Sequence, residues 1–177
     1  TDDLSGIQQT GLSTSENPTL GSKTTDTQGD IASVTWYGKV KDNAGNVSTV
    51  CNSGNFKVDT TKPSCLVSFG GTSGNNGWYK SNATVTLSTS DSLSKVERYG
   101  LTTSGSVTYN SSSSNTQTDT AGQTWYGYVI DYAGNETACN NPVKVDTQKP
   151  SCTVTLSGTV GNNGWYKESA VTLTLNP

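Results

Sequence analysis

The chain contains no histidine and no methionine. Without histidine there is no imidazole to act as base for a serine or cysteine nucleophile. None is available to complete a zinc site either, and no C-x-x-C pair is present. Without methionine, Thr1 is expected not to be a translation start, so the chain reads as a processed or excised segment. Charge is sparse: 14% of residues carry it, for a net charge of -3. An acidic pI of about 4.8 argues against nucleic-acid binding, which needs a basic surface. No apolar run approaches the ~20 residues needed to span a bilayer, and no signal peptide is visible. There is no P-loop, and no motif marks a pair of carboxylates for hydrolysis. The chain is expected not to be an enzyme and to need no cofactor and no metal.

Hydrophobic residues are also few, at 30%. Ser, Thr, Asn and Gly fill much of the remainder, as they do in some disordered chains. Disorder, however, is favoured by high net charge and few aromatics, whereas four Trp and eight Tyr recur here at regular places. Thr, Val and Tyr suit a pleated, half-buried surface. The composition therefore predicts an all-β protein with thin cores. Four cysteines in such a chain point to an oxidising compartment, extracellular or at the cell surface.

Internal repetition organises the sequence. Asp2–Leu12 (DDLSGIQQTGL) answers Asp91–Leu101 (DSLSKVERYGL), and Thr35–Asn46 (TWYGKVKDNAGN) answers Thr124–Asn135 (TWYGYVIDYAGN). Lys57–Cys65 (KVDTTKPSC) answers Lys144–Cys152 (KVDTQKPSC), and GNNGWYK recurs at Gly74–Lys80 and Gly161–Lys167. The Lys62-Pro63 and Lys149-Pro150 pairs read as stiff joints, because proline fixes φ and biases its predecessor toward extended backbone. Residues 1–61 are then a partial repeat without its first strands, 62–148 a complete repeat, and 149–177 the start of a third. That start is either a partial repeat or a set of strands donated to a neighbouring unit.

Seven short strands are expected in the complete repeat, near Cys65–Phe69, Ala83–Thr89, Val96–Leu101, Ser106–Tyr109, Gln117–Thr120, Thr124–Asp131 and Thr137–Val145. In the sixth, Trp36/Trp125, Gly38/Gly127 and Val40/Val129 repeat unchanged while Lys39/Tyr128 and Lys41/Ile130 do not. Strand side chains alternate between faces. The indoles and Val40 and Val129 should therefore point into the core, with Tyr128 and Ile130 outward.

Each motif also has a bland reading. DxAGN, at Asp42–Asn46 and Asp131–Asn135, suits a hairpin whose Asp caps the turn. Calcium held by Asp131 with Asp91 or Asp119 is the disfavoured alternative, since calcium takes six to eight oxygens and no D-x-D-x-D run is present. The ring pairs Trp78-Tyr79 and Trp165-Tyr166 read as lids over the core end, or less readily as sugar-stacking platforms. The N-x-S/T triplets at Asn46, Asn82, Asn110 and Asn135 arise easily by chance in such a chain. In an Ig-like sandwich the first and last strands lie side by side, which favours a Cys65–Cys139 bridge and leaves Cys51 and Cys152 to partners elsewhere. The rival pairing, Cys51 with Cys65 and Cys139 with Cys152, stays open.

The order GWYKSNATVTLSTSDSLSKV, WYGYVIDYAGNE, VDTQKP resembles bacterial immunoglobulin-like repeats of surface proteins and secreted multidomain proteins. The resemblance covers the chain in permuted register. It implies tandem seven-stranded sandwiches used as spacer, stalk or adhesive module. Two departures stand out: Lys95 replaces the glycine found at Gly6, and a cysteine pair per repeat is unusual for such domains. The leading expectation is a structural spacer or stalk repeat of a bacterial extracellular surface protein or filament, serving adhesion, with neighbouring repeats or copies of itself as partners. The alternative is a module binding carbohydrate or a host ligand, accessory to a secreted hydrolase.

Overall fold

The computed structural model describes residues 2–167 and 169–177, and these residues form strands and turns without a helix. No helix among them is therefore long and apolar enough to cross a membrane. The strands are β1 (Ile7–Ser13), β2 (Ile31–Asp42), β3 (Cys51–Val58), β4 (Ser64–Gly70), β5 (Trp78–Tyr79), β6 (Ala83–Ser90), β7 (Val96–Thr102), β8 (Ser114–Gln117), β9 (Thr120–Asp131), β10 (Glu136–Val145), β11 (Thr153–Ser157) and β12 (Thr172–Asn176).

Seven of them, β4 to β10, make an Ig-like sandwich. One sheet has the order β4-β6-β8 and the other β5-β10-β9-β7. All pairings are antiparallel except β5 with β10. The pattern of β6 shows why it forms: Ala83, Val85 and Leu87 are buried while Thr84, Thr86 and Ser88 face solvent. That period of two is the signature of a strand with one covered face. Val67, Ala83, Val85, Leu87, Leu101, Trp125, Val143 and Val145 form the core cluster between the sheets. Trp125 is only 5% exposed, and its indole Nε1 donates to Gln117 Oε1 at 2.7 Å, so the ring is buried with its polar handle satisfied. Val129 is completely buried.

Three expectations need correction. Residues 106–109 form no strand; the seventh strand is β5, a two-residue edge whose Trp78 and Tyr79 pair with Lys144 and Val145. A two-residue strand is too short to leave a periodic trace. The fifth strand lies earlier than expected, at Ser114–Gln117. Tyr128 and Ile130 are buried on the face expected to be solvated. The loop after β7 lies over that face: Tyr128 Oη donates to Gly105 O at 2.8 Å. Gly100 permits the crossing, because a Cβ there would run into the carbonyl of Thr108.

The flanking regions each contain one sheet. β1-β2-β3 reproduces the arrangement of β7-β9-β10, with Leu12 opposite Gly38 and Gly38 opposite Cys51, as Leu101 is opposite Gly127 and Gly127 opposite Cys139. Here Trp36 and Val40 are half-buried, since no second sheet stacks on them among the described residues. The indole of Trp36 still donates to Gln28 Oε1 at 3.0 Å, the counterpart of the Trp125–Gln117 bond. β11 and β12 form a two-stranded antiparallel sheet corresponding to β4 and β6.

The joint between units as candidate functional site

The segment after β3 runs Asp59-Thr60-Thr61-Lys62-Pro63 into β4. It is held from both sides. From behind, Asp30 Oδ1 accepts from Thr60 N and Thr60 Oγ1, both at 2.8 Å, and Asp30 Oδ2 accepts from Thr61 Oγ1 at 2.8 Å. From ahead, Ser94 N donates to Asp59 Oδ2 at 2.9 Å. Asn135 Nδ2 donates to Asp59 O at 3.1 Å and Thr61 O at 3.3 Å. The joint at Asp146-Thr147-Gln148 repeats the rear half. Asp119 Oδ1 accepts from Thr147 N at 2.9 Å, and Asp119 Oδ2 from Thr147 Oγ1 at 3.1 Å. Backbone donors tied to carboxylates in this way remove freedom from a linker that proline has already stiffened.

Asn135 belongs to the DxAGN turn. Gly134 takes the left-handed conformation (φ 91°), and Gly134 N donates to Asp131 O at 3.1 Å. Asp131 then receives Asn135 N at 2.8 Å on one oxygen and Asn135 Nδ2 at 2.9 Å on the other. The turn reading thus describes the local geometry, and the same Asn reaches on to the joint. At the counterpart turn, Asp42 receives Asn46 N and Asn46 Nδ2, each at 2.7 Å. Asp131 has no exposed surface. Burial pushes its carboxyl up, but the Asn135 side chain and the amides of Asn135, Ala133 and Gly134 outweigh this and hold it below the usual value of 3.8.

Asp59, Asp91 and Asp131 bring carboxylate oxygens within 4.8 Å of one another. Asp119, the other partner considered from sequence, is instead engaged at the second joint. Together the three could offer a divalent cation one oxygen each, fewer than the six to eight that calcium takes. Backbone donors already occupy part of the set, since Asp91 Oδ1 accepts from Leu93 N at 3.0 Å and Lys95 N at 2.9 Å. Sequence inspection missed Asp59 because it lies in the linker of the preceding unit. The recurrence of VDT at both joints was the available signal.

The cysteines divide into two classes. Cys65 and Cys139 form a disulfide with Cα atoms 5.7 Å apart. The strands that carry them belong to opposite sheets, and β5 rather than β4 takes the edge beside β10. β4 and β10 meet across the sandwich, where Asn141 Nδ2 also donates to Val67 O at 3.0 Å. Cys51 and Cys152 are free and exposed. The aromatic pairs differ too. Trp78 and Tyr79 are half-buried, with Lys144 Nζ 5.4 Å from the Trp78 ring centroid and Tyr79 Oη donating to Phe69 O at 3.3 Å. Trp165 is 76% exposed, and Tyr166 is half-buried.

No protein-family model matches the chain, and no curated protein matches it. A solved structure, titled "Structures of Clostridium thermocellum CbhA fibronectin(III)-like modules", is similar over 85% of each chain at 14% identity, with a TM-score of 0.37. A likeness that loose carries no argument here. The class, an all-β protein built on an Ig-like sandwich, is read from strand order and register.

Proposed function

We propose that the chain is a non-catalytic spacer from an extracellular bacterial surface protein or filament, in which serial sandwiches hold an adhesive part away from its anchor. The joint carries this reading. Proline, two aspartates and the DxAGN turn fix the linker, and the same Asp–Thr clasp recurs at the second joint. A stack of such units lengthens with copy number while each neighbour constrains the next. The Cys65–Cys139 bridge supports an oxidising compartment. Small-angle scattering from arrays of the 62–148 unit with increasing copy number tests it. The maximum dimension should rise in proportion to copy number; growth as the square root, the behaviour of flexibly linked beads, would refute it.

A binding role has weaker support. Lys144 covers one face of Trp78, and the indole sits at a sheet edge rather than coplanar with a second exposed ring. A glycan array in which Trp78→Ala abolishes a reproducible signal would favour that reading instead.

A further inference from the structure

The hairpin that leads into β5 turns on an Asn-Gly pair. Gly74 N donates to Trp78 O at 2.7 Å, Lys80 N donates to Thr72 O at 2.9 Å, and Trp78 N closes the tip on Asn75 O at 3.1 Å. Inside that tip, Asn76 and Gly77 have φ of 54° and 77°. A two-residue turn with both φ positive selects Asn-Gly, because these residues tolerate left-handed backbone best. Turn chemistry alone therefore accounts for the pair, and Asn163-Gly164 repeats it with φ of 52° and 82°. No other Asn-Gly step occurs in the sequence.

The turn does not require Lys144. This residue lies on β10, 68 positions from Asn76, and its Nζ donates to Asn76 O at 3.3 Å while sitting 5.4 Å from the Trp78 ring centroid. Asn76 O and Gly77 N belong to one peptide group, and resonance shares charge between them. When the Gly77 N–H is lost, negative charge develops on the oxygen that the Lys144 ammonium already holds, and a fixed donor there stabilises it. Asn76 and Gly77 are exposed, and nothing crowds the place where a Cβ on Gly77 would sit. The Gly77 N–H has no acceptor among the described residues. An uncovered amide nitrogen, a charge that favours its ionised form and the Asn76 side-chain amide thus meet at one point.

We infer that Asn76-Gly77 is a self-modification site, at which the folded chain deamidates with Lys144 assisting and water as the only co-reactant. Gly77 N gives its proton to solvent and attacks Asn76 Cγ. The N–Cγ bond forms, the Cγ–Nδ2 bond breaks, and Nδ2 leaves as ammonia after taking a proton from solvent. Water then opens the succinimide ring, and no electrons are exchanged with any other group. Breaking the new N–Cγ bond leaves aspartate at position 76. Breaking the original peptide C–N bond leaves isoaspartate, with the main chain rerouted through Cγ and a carboxylate where Asn76 O stood, next to Lys144 Nζ. The rerouted chain carries an extra methylene through the tip. That loosens the Asn75–Trp78 turn and, beyond it, the bond that Tyr79 O accepts from Asp146 N at 2.9 Å at the start of the second joint. The change runs one way, so the modified fraction records the age of the molecule. The inference does not rest on the spacer reading.

The test incubates the whole chain in mildly alkaline buffer and follows aspartate and isoaspartate at position 76 by peptide mass spectrometry after brief acidic digestion. Asn163 serves as a clock in the same sample. Lys144→Met, which keeps an apolar stem over Trp78, should slow the reaction at Asn76 about fivefold and leave Asn163 unchanged. Lys144→Arg, which keeps the charge, should retain most of the rate. In urea all three chains should react alike at Asn76, because Lys144 is then no longer held there. Without any substitution, added salt should slow Asn76 and not Asn163, since screening acts on the half-exposed ammonium. Lys144 is outside the core cluster, and the unfolding transition of the central sandwich reports that each variant is folded. In the isoaspartate fraction, hydrogen exchange at Asp146 N should rise. An unreacted Asn76, equal rates in the unsubstituted and Lys144→Met chains, a rate indifferent to salt, or a difference that survives urea would each overturn the assignment.

Discussion

Trp36 and Trp125 occupy the same place in the same motif, TWYG, and each indole donates to a glutamine eight residues earlier in the chain. Yet Trp125 is buried and Trp36 half-buried. Val40 and Val129 differ in the same way, as do Leu12 and Leu101. Local sequence fixes strand, twist and facing, while burial is conferred by the opposite sheet. An apolar residue is a core residue only when something covers it, and full burial of such a side chain is worth about 1.5–3 kcal/mol.

The comparison can be broken most severely at the indoles. Trp125→Ala should cost toward the upper end of about 3–5 kcal/mol in denaturant unfolding, and Trp36→Ala less than half as much. Equal losses would mean that coverage is not the difference. Next, Cys65→Ser with Cys139→Ser should remove about 4 kcal/mol in the chain-entropy treatment of a loop this long, whereas Cys51→Ser, which opens no bridge within the chain, should leave its stability unchanged. Third, Asn135→Ala strips donors from Asp131, Asp59 O and Thr61 O and should cost about 1–3 kcal/mol. Hydrogen exchange at Thr60 and Thr61 should rise with it. The same change at Asn46, which serves an exposed turn, should cost less.

Acid offers a further probe. Asp131, Asp119, Asp42 and Asp30 all have carboxyls held below the usual 3.8. A carboxylate depressed in the folded state contributes stability that is full above its unfolded value and is lost as pH falls through the folded one. Melting temperature should therefore hold steady near neutrality and drop once pH passes below about 3.8, with linker protection lost first. The smallest effect concerns Lys95, at φ 73° where its counterpart Gly6 has 72°. A side chain pays about 1 kcal/mol or more for left-handed backbone, so Lys95→Gly should stabilise the central unit by up to about 1 kcal/mol, and Gly6→Lys should do the reverse to the first.

Much of this was legible. The alternation in Ala83–Thr89 and the repeated WYG segment placed β6 and β9, and the mismatch of Lys95 with Gly6 was visible before its backbone angle was known. What escaped had physical reasons. β5 is two residues long and owes its pairing to Val145 arriving from 66 positions away. Tyr128 and Ile130 are covered by a loop that only Gly100 lets approach. The carboxylate cluster joins Asp59 to Asp91 and Asp131 across a unit boundary, and no window on a sequence spans that gap.

The Cys65–Cys139 bond has a mechanical consequence. The two cysteines stand 74 positions apart, near the points where the chain enters and leaves the central sandwich. Tension applied along the polypeptide would pass through sulfur, from β4 directly to β10, and bypass the strands between. At about 3.4 Å per extended residue, roughly 250 Å of slack is thereby locked away in each bridged unit, and such a tether transmits a pull without paying out length.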